Sequence, residues 1–229
     1  MHVIKTGRNQ LWIWAIFLLP GIGALAYFAA EILPELFGGR TGRRAQAGVR
    51  RMIDPNRELR RASAEVEISG NADARRRLGD ELNERQQYDE AIEVYRGGLR
   101  GIFEHDPTLL LGLARAQFGK RDFAAARATL EQVVQQNPDF KSADAQLLYA
   151  RTLEAQDALD EAEREYATLA PGYPGAEARL RYGLLLKKRG KSAEAQRVLK
   201  DLLDGARLGP AHYRKAQAEW LDRARRELG

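Results

Sequence analysis

The side chains able to do covalent or metal chemistry are few in this sequence, and none stands beside the partner it would need. There is no cysteine, which removes a disulfide framework, a thiolate zinc site and a thiol nucleophile together. The three histidines, His2, His105 and His212, are scattered without ligand spacing. The four serines, at 63, 69, 142 and 192, sit in no nucleophile-elbow motif. Gly21-Ile-Gly23 lies inside an apolar run rather than between a strand and a helix, so it is no phosphate loop. Asp and Glu are abundant, but they recur four residues from Arg, the spacing of pairs on a solvated helix face. The expectation is a protein with no catalytic residue, metal ligand or cofactor. What remains is the chemistry of binding, carried by arginines and lysines at regular intervals.

Those intervals come from a repeated phrase. Tyr88-Asp-Glu-Ala91-Ile-Glu-Val-Tyr95 recurs as Phe123…Ala126…Leu130, as Leu159…Ala162…Tyr166 and as Ser192…Ala195…Leu199. Ala91, Ala126, Ala162 and Ala195 are separated by 35, 36 and 33 residues. A period near 34 with a small residue followed four later by an aromatic or Leu is the mark of a helix–turn–helix repeat.

From about Ala72 to Gly209 the chain resembles the tetratricopeptide repeat (TPR) family. The first helix of each repeat shows the family's large–small…large pattern as Leu78-Gly79…Leu82, Leu113-Ala114…Gln117, Tyr149-Ala150…Leu153 and Tyr182-Gly183…Leu186. Gln117 departs from it, polar where an apolar residue is usual. Pro138 and Pro174 each follow the repeat alanine by twelve residues, as the pattern expects. Pro107 and Pro210 come sixteen and fifteen residues after theirs, which predicts longer second helices in the first and fourth repeats. Gly97-Gly98 inside a helix costs about 1 kcal/mol per Gly relative to Ala, and reads as a tight packing point or a weak spot. The segment 210–229 carries Tyr213, Ala216, Trp220 and Ala224 at helical spacing, the single capping helix that a solenoid needs over its last apolar face. The resemblance implies an all-α right-handed superhelix of four hairpins over 72–209, preceded by a lead-in helix over 56–71. It also implies a concave groove that receives a protein or peptide partner. Its groove-facing positions fall on Arg76, Asp80 and Asn83, then Leu111, Arg115 and Phe118. Leu147, Arg151 and Glu154 follow, and then Leu180, Leu184 and Lys187. That mixture suits an amphipathic segment carrying acidic residues; an ordinary solvated helix face is the other reading. The Lys/Asn pair by which chaperone-binding members clamp a terminal carboxylate is replaced by Arg76 and Asp80.

Ahead of the repeats, after a tail over 1–10, Leu11 to Ala30 is an uncharged run of twenty residues. At about 1.5 Å per residue it spans about 30 Å, the hydrocarbon thickness of a bilayer. Trp12 and Trp14 near one end and Tyr27 near the other suit the two interfaces. Pro20 is placed to kink the helix, and Gly21 and Gly23 permit close approach of another helix. A membrane anchor over 11–37 is the expectation; the alternatives are a cleaved signal peptide, with Lys5 and Arg8 as its basic end and Ala24-Leu-Ala26 as its cleavage site, and a buried helix of a soluble protein. Trp14, Pro20-Gly-Ile-Gly23, Tyr27 and Phe37-Gly-Gly-Arg40…Arg43-Arg44 resemble the second membrane helix of the phospholipase D/cardiolipin synthase N-terminal module. That resemblance implies a bacterial inner-membrane anchor. No His-x-Lys phosphodiesterase motif occurs, so no lipid-synthase activity follows from it.

Between Gly38 and Arg61 there are eight arginines against Asp54 and Glu58, which leaves the rest of a chain of net charge +5 close to neutral. The basicity thus belongs to a flexible linker over 38–55, with Arg40, Arg43, Arg44, Arg50 and Arg51 placed to meet anionic lipid headgroups. No aromatics are interleaved for base stacking, so no nucleic acid is expected. By the positive-inside rule these arginines put the repeats in the cytoplasm, as part of a single-pass inner-membrane scaffold or adaptor. The alternatives are a periplasm-facing structural or chaperone-like repeat protein, or an accessory factor in membrane lipid or envelope biogenesis.

Overall fold

The computed structural model describes residues 56–228; the tail, the expected anchor over 11–37 and the expected basic linker over 38–55 lie outside the described residues. Among the described residues no helix is long and apolar enough to cross a membrane. The chain divides between Arg60 and Arg61, and all the repeats belong to the second unit.

Every regular element described is helical. A lead-in helix α1 (Arg57–Ser69) is followed by four hairpins: α2 (Ala72–Glu84) with α3 (Tyr88–Gly98), α4 (Pro107–Gly119) with α5 (Phe123–Gln136), α6 (Ala143–Ala155) with α7 (Leu159–Leu169), and α8 (Glu177–Lys188) with α9 (Ser192–Leu208). Two further helices, α10 (Ala211–Ala216) and α11 (Ala218–Leu228), close the order. Each hairpin packs internally and then onto the next, α3 on α4, α5 on α6 and α7 on α8, while α11 lies on α9 and α8. This is the nearest-neighbour stacking of a repeat array, in which no hairpin buries its apolar face alone.

The helix starts follow from side chains that satisfy orphan amides. Asn71 Oδ1 accepts from the Ala74 amide at 2.8 Å, and Asp106 Oδ1 accepts from Thr108 and Leu109 at 2.9 Å each. Asp122 and Ser142 do the same for α5 and α6. The turns inside the hairpins are one motif used four times. Gln86, Arg121, Asp157 and Gly190 have φ of 61°, 70°, 60° and 76°. The amide of the following residue reaches back to Leu82, Gln117, Leu153 and Leu186 carbonyls, at 2.9 Å in every case. A second bond runs from each left-handed residue to the carbonyl three before it, at 3.0–3.1 Å. This is the Schellman end of a helix, which glycine fits best; three of the four turns hold it without one.

The core is set by what the small residues admit. Tyr95 is fully buried. A Cβ added at Gly79 would fall 2.5 Å from its ring, and one added at Gly112 would fall 2.4 Å from it. The ring is therefore gripped between the first helix of its own repeat and the first helix of the next. Its hydroxyl donates to Asp80 Oδ1 at 2.6 Å and accepts from Asn83 Nδ2 at 3.3 Å. The same Asn83 nitrogen donates to the Gly112 carbonyl at 3.2 Å, tying α2 to α4. Burial first, and then the Asp80 carboxylate, push the Tyr95 phenol far above its usual range, so it stays a donor at any ordinary pH. Tyr166 repeats the device in the third hairpin, fully buried and donating to Glu154 Oε2 at 2.9 Å.

Several expectations are corrected. The second helix of the first repeat is not lengthened: α3 ends at Gly98, and a 3₁₀ turn at Gly101–Phe103 follows. Pro107 starts α4 at its first position behind the Asp106 cap, where its missing amide costs nothing. Gly98 is a packing point, since a Cβ there would meet Leu109 Cδ1 at 3.2 Å. In the fourth hairpin α9 does run long, to 17 residues. Gln117 is buried, and the Thr129 hydroxyl donates to its Oε1 at 2.8 Å, so one polar departure is answered by another on the facing helix. The capping segment is two helices rather than one. Gln217 interrupts it at φ −105°, ψ 12°, and its Oε1 accepts from the Ala176 amide at 2.9 Å.

The turns and the tyrosine slot are both open to substitution. Arg121 is exposed and left-handed, so Arg121→Gly raises unfolding stability by about 1 kcal/mol and Gly190→Ala lowers it by about as much. Urea midpoints check both, and equal midpoints for wild type and Arg121→Gly refute the first. Gly112→Ala forces the Tyr95 ring out of its slot and costs about 2–3 kcal/mol. Tyr95→Phe, which keeps the ring and loses one hydrogen bond, costs about 1 kcal/mol in the same measurement.

Candidate binding groove

The first helices bring Arg115 and Arg151 to equivalent places on α4 and α6, where they border a hollow of about 440 Å³. Phe118 and Leu147 form its apolar side, Asn83 reaches it from α2, and Glu177 closes it from the start of α8. Arg151 lies with its guanidinium over the Phe118 ring, 4.8 Å from the centroid. Phe118 in turn meets Phe123 edge-on at 5.3 Å, which fixes the platform. Such a cation–π contact contributes about 0.5–2 kcal/mol, more as water is excluded.

The cations here are incompletely matched. Arg151 Nη1 stands 3.6 Å from Glu177 Oε1, an oxygen that Arg181 already reaches at 2.7 Å. Arg115 Nη2 stands 3.6 Å from Asp144 Oδ2, and the other Asp144 oxygen accepts from the Tyr173 hydroxyl at 3.2 Å. Both arginine contacts are attractive in charge but too long to be good hydrogen bonds. Two buried side-chain polar atoms among the described residues lack a hydrogen-bond partner, Arg151 Nε and Asn83 Oδ1, and both belong to residues bordering this hollow. Burial first, and then the positive charge of Arg181, push the Arg151 pKa down. Since a guanidinium does not release its proton in a protein, the result is a cation held in an unfavourable place.

Five of the residues expected to face a groove, Asn83, Arg115, Phe118, Leu147 and Arg151, thus share one hollow. The others lie elsewhere. Arg76 pairs with Asp73 at 2.9 Å and with Asp80 at 2.8 Å, while Asp80 holds Tyr95. Glu154 is engaged by Tyr166. Leu111 is buried in a cluster with Ala114, Leu130 and Leu148. Leu184 and Lys187 differ most from the expectation of an open groove. Leu184 and the fully buried Leu180 join a cluster that includes Leu221, Ala224 and Trp220, and Lys187 Nζ binds Glu227 at 2.9 Å. Among the described residues no further hairpin follows the fourth, and helix α11 covers that face. Asp144, Glu177 and Tyr173 were not singled out from sequence. The two acids stand near the starts of successive first helices, 33 residues apart, which is the repeat period again. His105 and His212 do not meet, and no group of three metal-ligating side chains occurs among the described residues.

A sequence-family model described as tetratricopeptide repeat matches residues 82–142 and 118–177. Those residues are tetratricopeptide repeats. No curated protein matches the chain. Among solved structures, the crystal structure of MamA is similar at 19% identity and a TM-score of 0.57, covering 72% of this chain and 94% of that one. MamA (residues 41 to the end) from Desulfovibrio magneticus RS-1 is similar at 14% identity and a TM-score of 0.61, covering 78% and 98%. YrrB, described as a TPR protein with an unusual peptide-binding site, is similar at 16% identity and a TM-score of 0.54, covering 71% and 90%. At these identities the likeness is one of fold.

Arg151 distinguishes a binding role from a structural one. Replacing a half-buried, poorly neutralised cation by an apolar side chain of like length leaves stability nearly unchanged, because the desolvation the charge suffers offsets the contacts it makes. Arg151→Met is therefore expected to leave the urea midpoint unchanged or to raise stability by about 1 kcal/mol. A loss of about 3 kcal/mol would make Arg151 a structural residue instead.

Proposed function

We propose that this chain is a non-enzymatic TPR scaffold, anchored in the bacterial inner membrane through residues 11–37, with its repeats on the cytoplasmic side. In this reading it binds a protein or peptide partner on the face of its first helices, at the hollow between α4 and α6. The observation that carries the reading is the state of Arg151: a half-buried guanidinium stacked on Phe118, its buried Nε without an acceptor and the Glu177 oxygen it faces committed to Arg181. A partner segment that brings a carboxylate to Arg151 and Arg115, and an apolar side chain to Phe118 and Leu147, would relieve that charge and cover the platform. The basic linker would hold the array near anionic headgroups. The peptide-binding site of YrrB, on a similar fold, supports a role of this kind for the repeats.

The test is photo-crosslinking in intact cells from a benzophenone side chain placed at Phe118. One dominant protein adduct is expected, lost when Arg115 and Arg151 are both changed to Glu. Absence of an adduct in a folded, membrane-associated protein rejects the groove. A phosphatase fusion at Gly229 tests the orientation, and activity there rejects the cytoplasmic placement.

A further inference from the structure

The carboxylate that closes the groove is contested by two cations at one oxygen. Glu177 is the first residue of α8, and its Oε1 lies 2.7 Å from Arg181 Nε and 3.6 Å from Arg151 Nη1. Glu177 and Arg181 stand four residues apart on one helix, a spacing at which the pair closes without moving the backbone. Arg151 comes from α6 and stays beyond a good hydrogen-bond distance from that oxygen. The Glu177 and Arg181 side chains are only 17% and 25% exposed, so their pair is screened less than one in open solvent. Arg181 does not itself border the hollow. It decides what Glu177 can do there.

The capping segment holds Arg181. The Arg181 guanidinium lies over the Trp220 ring of α11, 5.8 Å from the centroid, within the range of cation–π attraction. Trp220 packs in turn against the cluster of Leu180, Leu199 and Leu221, which fixes the ring. The same segment fixes the start of α8, because Gln217 Oε1 accepts from the Ala176 amide immediately before Glu177. At the far end of α8, Lys187 Nζ binds Glu227 at 2.9 Å. The turn that presents Glu177 to the groove is thus held from outside the groove.

We propose, resting on the reading of the groove given above, that Arg181, steadied by Trp220, is a positioning residue: it keeps Glu177 from neutralising Arg151 and so keeps that cation open to an acidic partner segment. Without Arg181, the Glu177 carboxylate turns to the cation that remains beside it, Arg151. An incoming carboxylate must then displace an internal one. The hold on a partner depends in this way on a C-terminal helix that the partner does not touch.

The experiment uses the full chain with nitrogen-labelled arginine and has a ligand-free arm and a ligand arm. Without ligand, the Arg151 Nε–H resonance is expected to move downfield in Arg181→Met and to exchange more slowly with water, as Glu177 closes on the guanidinium. Trp220→Leu should move it less in the same direction, and the double variant Arg181→Met/Glu177→Gln should not move it. The ligand arm titrates the capped peptide Gly-Leu-Glu-Leu-Gly, with Gln in place of Glu as its control. Arg181→Met is expected to weaken the Glu peptide about fivefold, the scale of one partly exposed ion pair, and to leave the Gln peptide unchanged. Adding Glu177→Gln should restore that affinity, by a larger factor than it improves the wild type. An unmoved Arg151 resonance in Arg181→Met overturns the proposal. An equal effect of Glu177→Gln in both backgrounds also overturns it, because Arg181 then acts only as a distant charge. If the Glu peptide fails to bind wild type while the resonance responds, the groove reading falls and the positioning role of Arg181 stands.

Discussion

The array depends on the fit of one phenol ring. Tyr95 fills a slot that exists only because position 79 on its own hairpin and position 112 on the next have no side chain. The contact is both intra-repeat and inter-repeat, so the distance between α2 and α4 is set by the thickness of an aromatic ring. The polar end is as constrained as the faces. With Asp80 accepting and Asn83 donating, the hydroxyl fixes the rotamers of two side chains on α2. Asn83 is left with a free acceptor oxygen at the edge of the groove. The packing device and the candidate site therefore share a residue, and the order of the first repeat is transmitted to the place where a partner would sit.

Helix α6 has a comparable double role. A helix in the middle of a repeat array packs on both neighbours and has little surface to spare, yet this one borders a hollow on each side. The two differ in character. On one side the guanidinium stacked on Phe118 has an Nε without a hydrogen-bond partner; on the other Val134, Pro138, Phe140 and Tyr149 line the hollow together with Glu165 and Lys141. Helical spacing produces this separation, because residues three and four apart share a face and their immediate neighbours do not.

The hairpins were legible in the sequence because the repeat is written in residues that do one thing. The alanines at 91, 126, 162 and 195 are buried wherever they recur, so their spacing reports helix-on-helix contact and little else. Gly79 and Tyr95 were legible for the same reason. The groove was legible only in part. Alignment to a repeat assigns each position a direction but not the neighbour it meets, and it cannot show that Asp80 and Glu154 are spent on tyrosines while Arg151 is not. Leu184 and Lys187 depart from the groove because the rule for an internal repeat does not hold for the last one, whose face is covered by α11. The proline rule fails at Pro107 for a related reason: proline ends one helix and begins another with equal ease, and only the Asp106 cap decides between them. The Gln117–Thr129 pair is invisible as a pair, since each residue alone looks like a defect.

The covering of the fourth hairpin by α11 bears on how such a chain can change over generations. Leu180, Leu199 and Leu202 are sealed by Leu221 and Ala224, and Lys187 is tied to Glu227. A duplicated hairpin added beyond this seal would find no apolar face to stack on. One copied in frame upstream of Glu177 would inherit an open face on each side. The apolar face that an internal hairpin offers to its successor is, on the fourth hairpin, already occupied by α11.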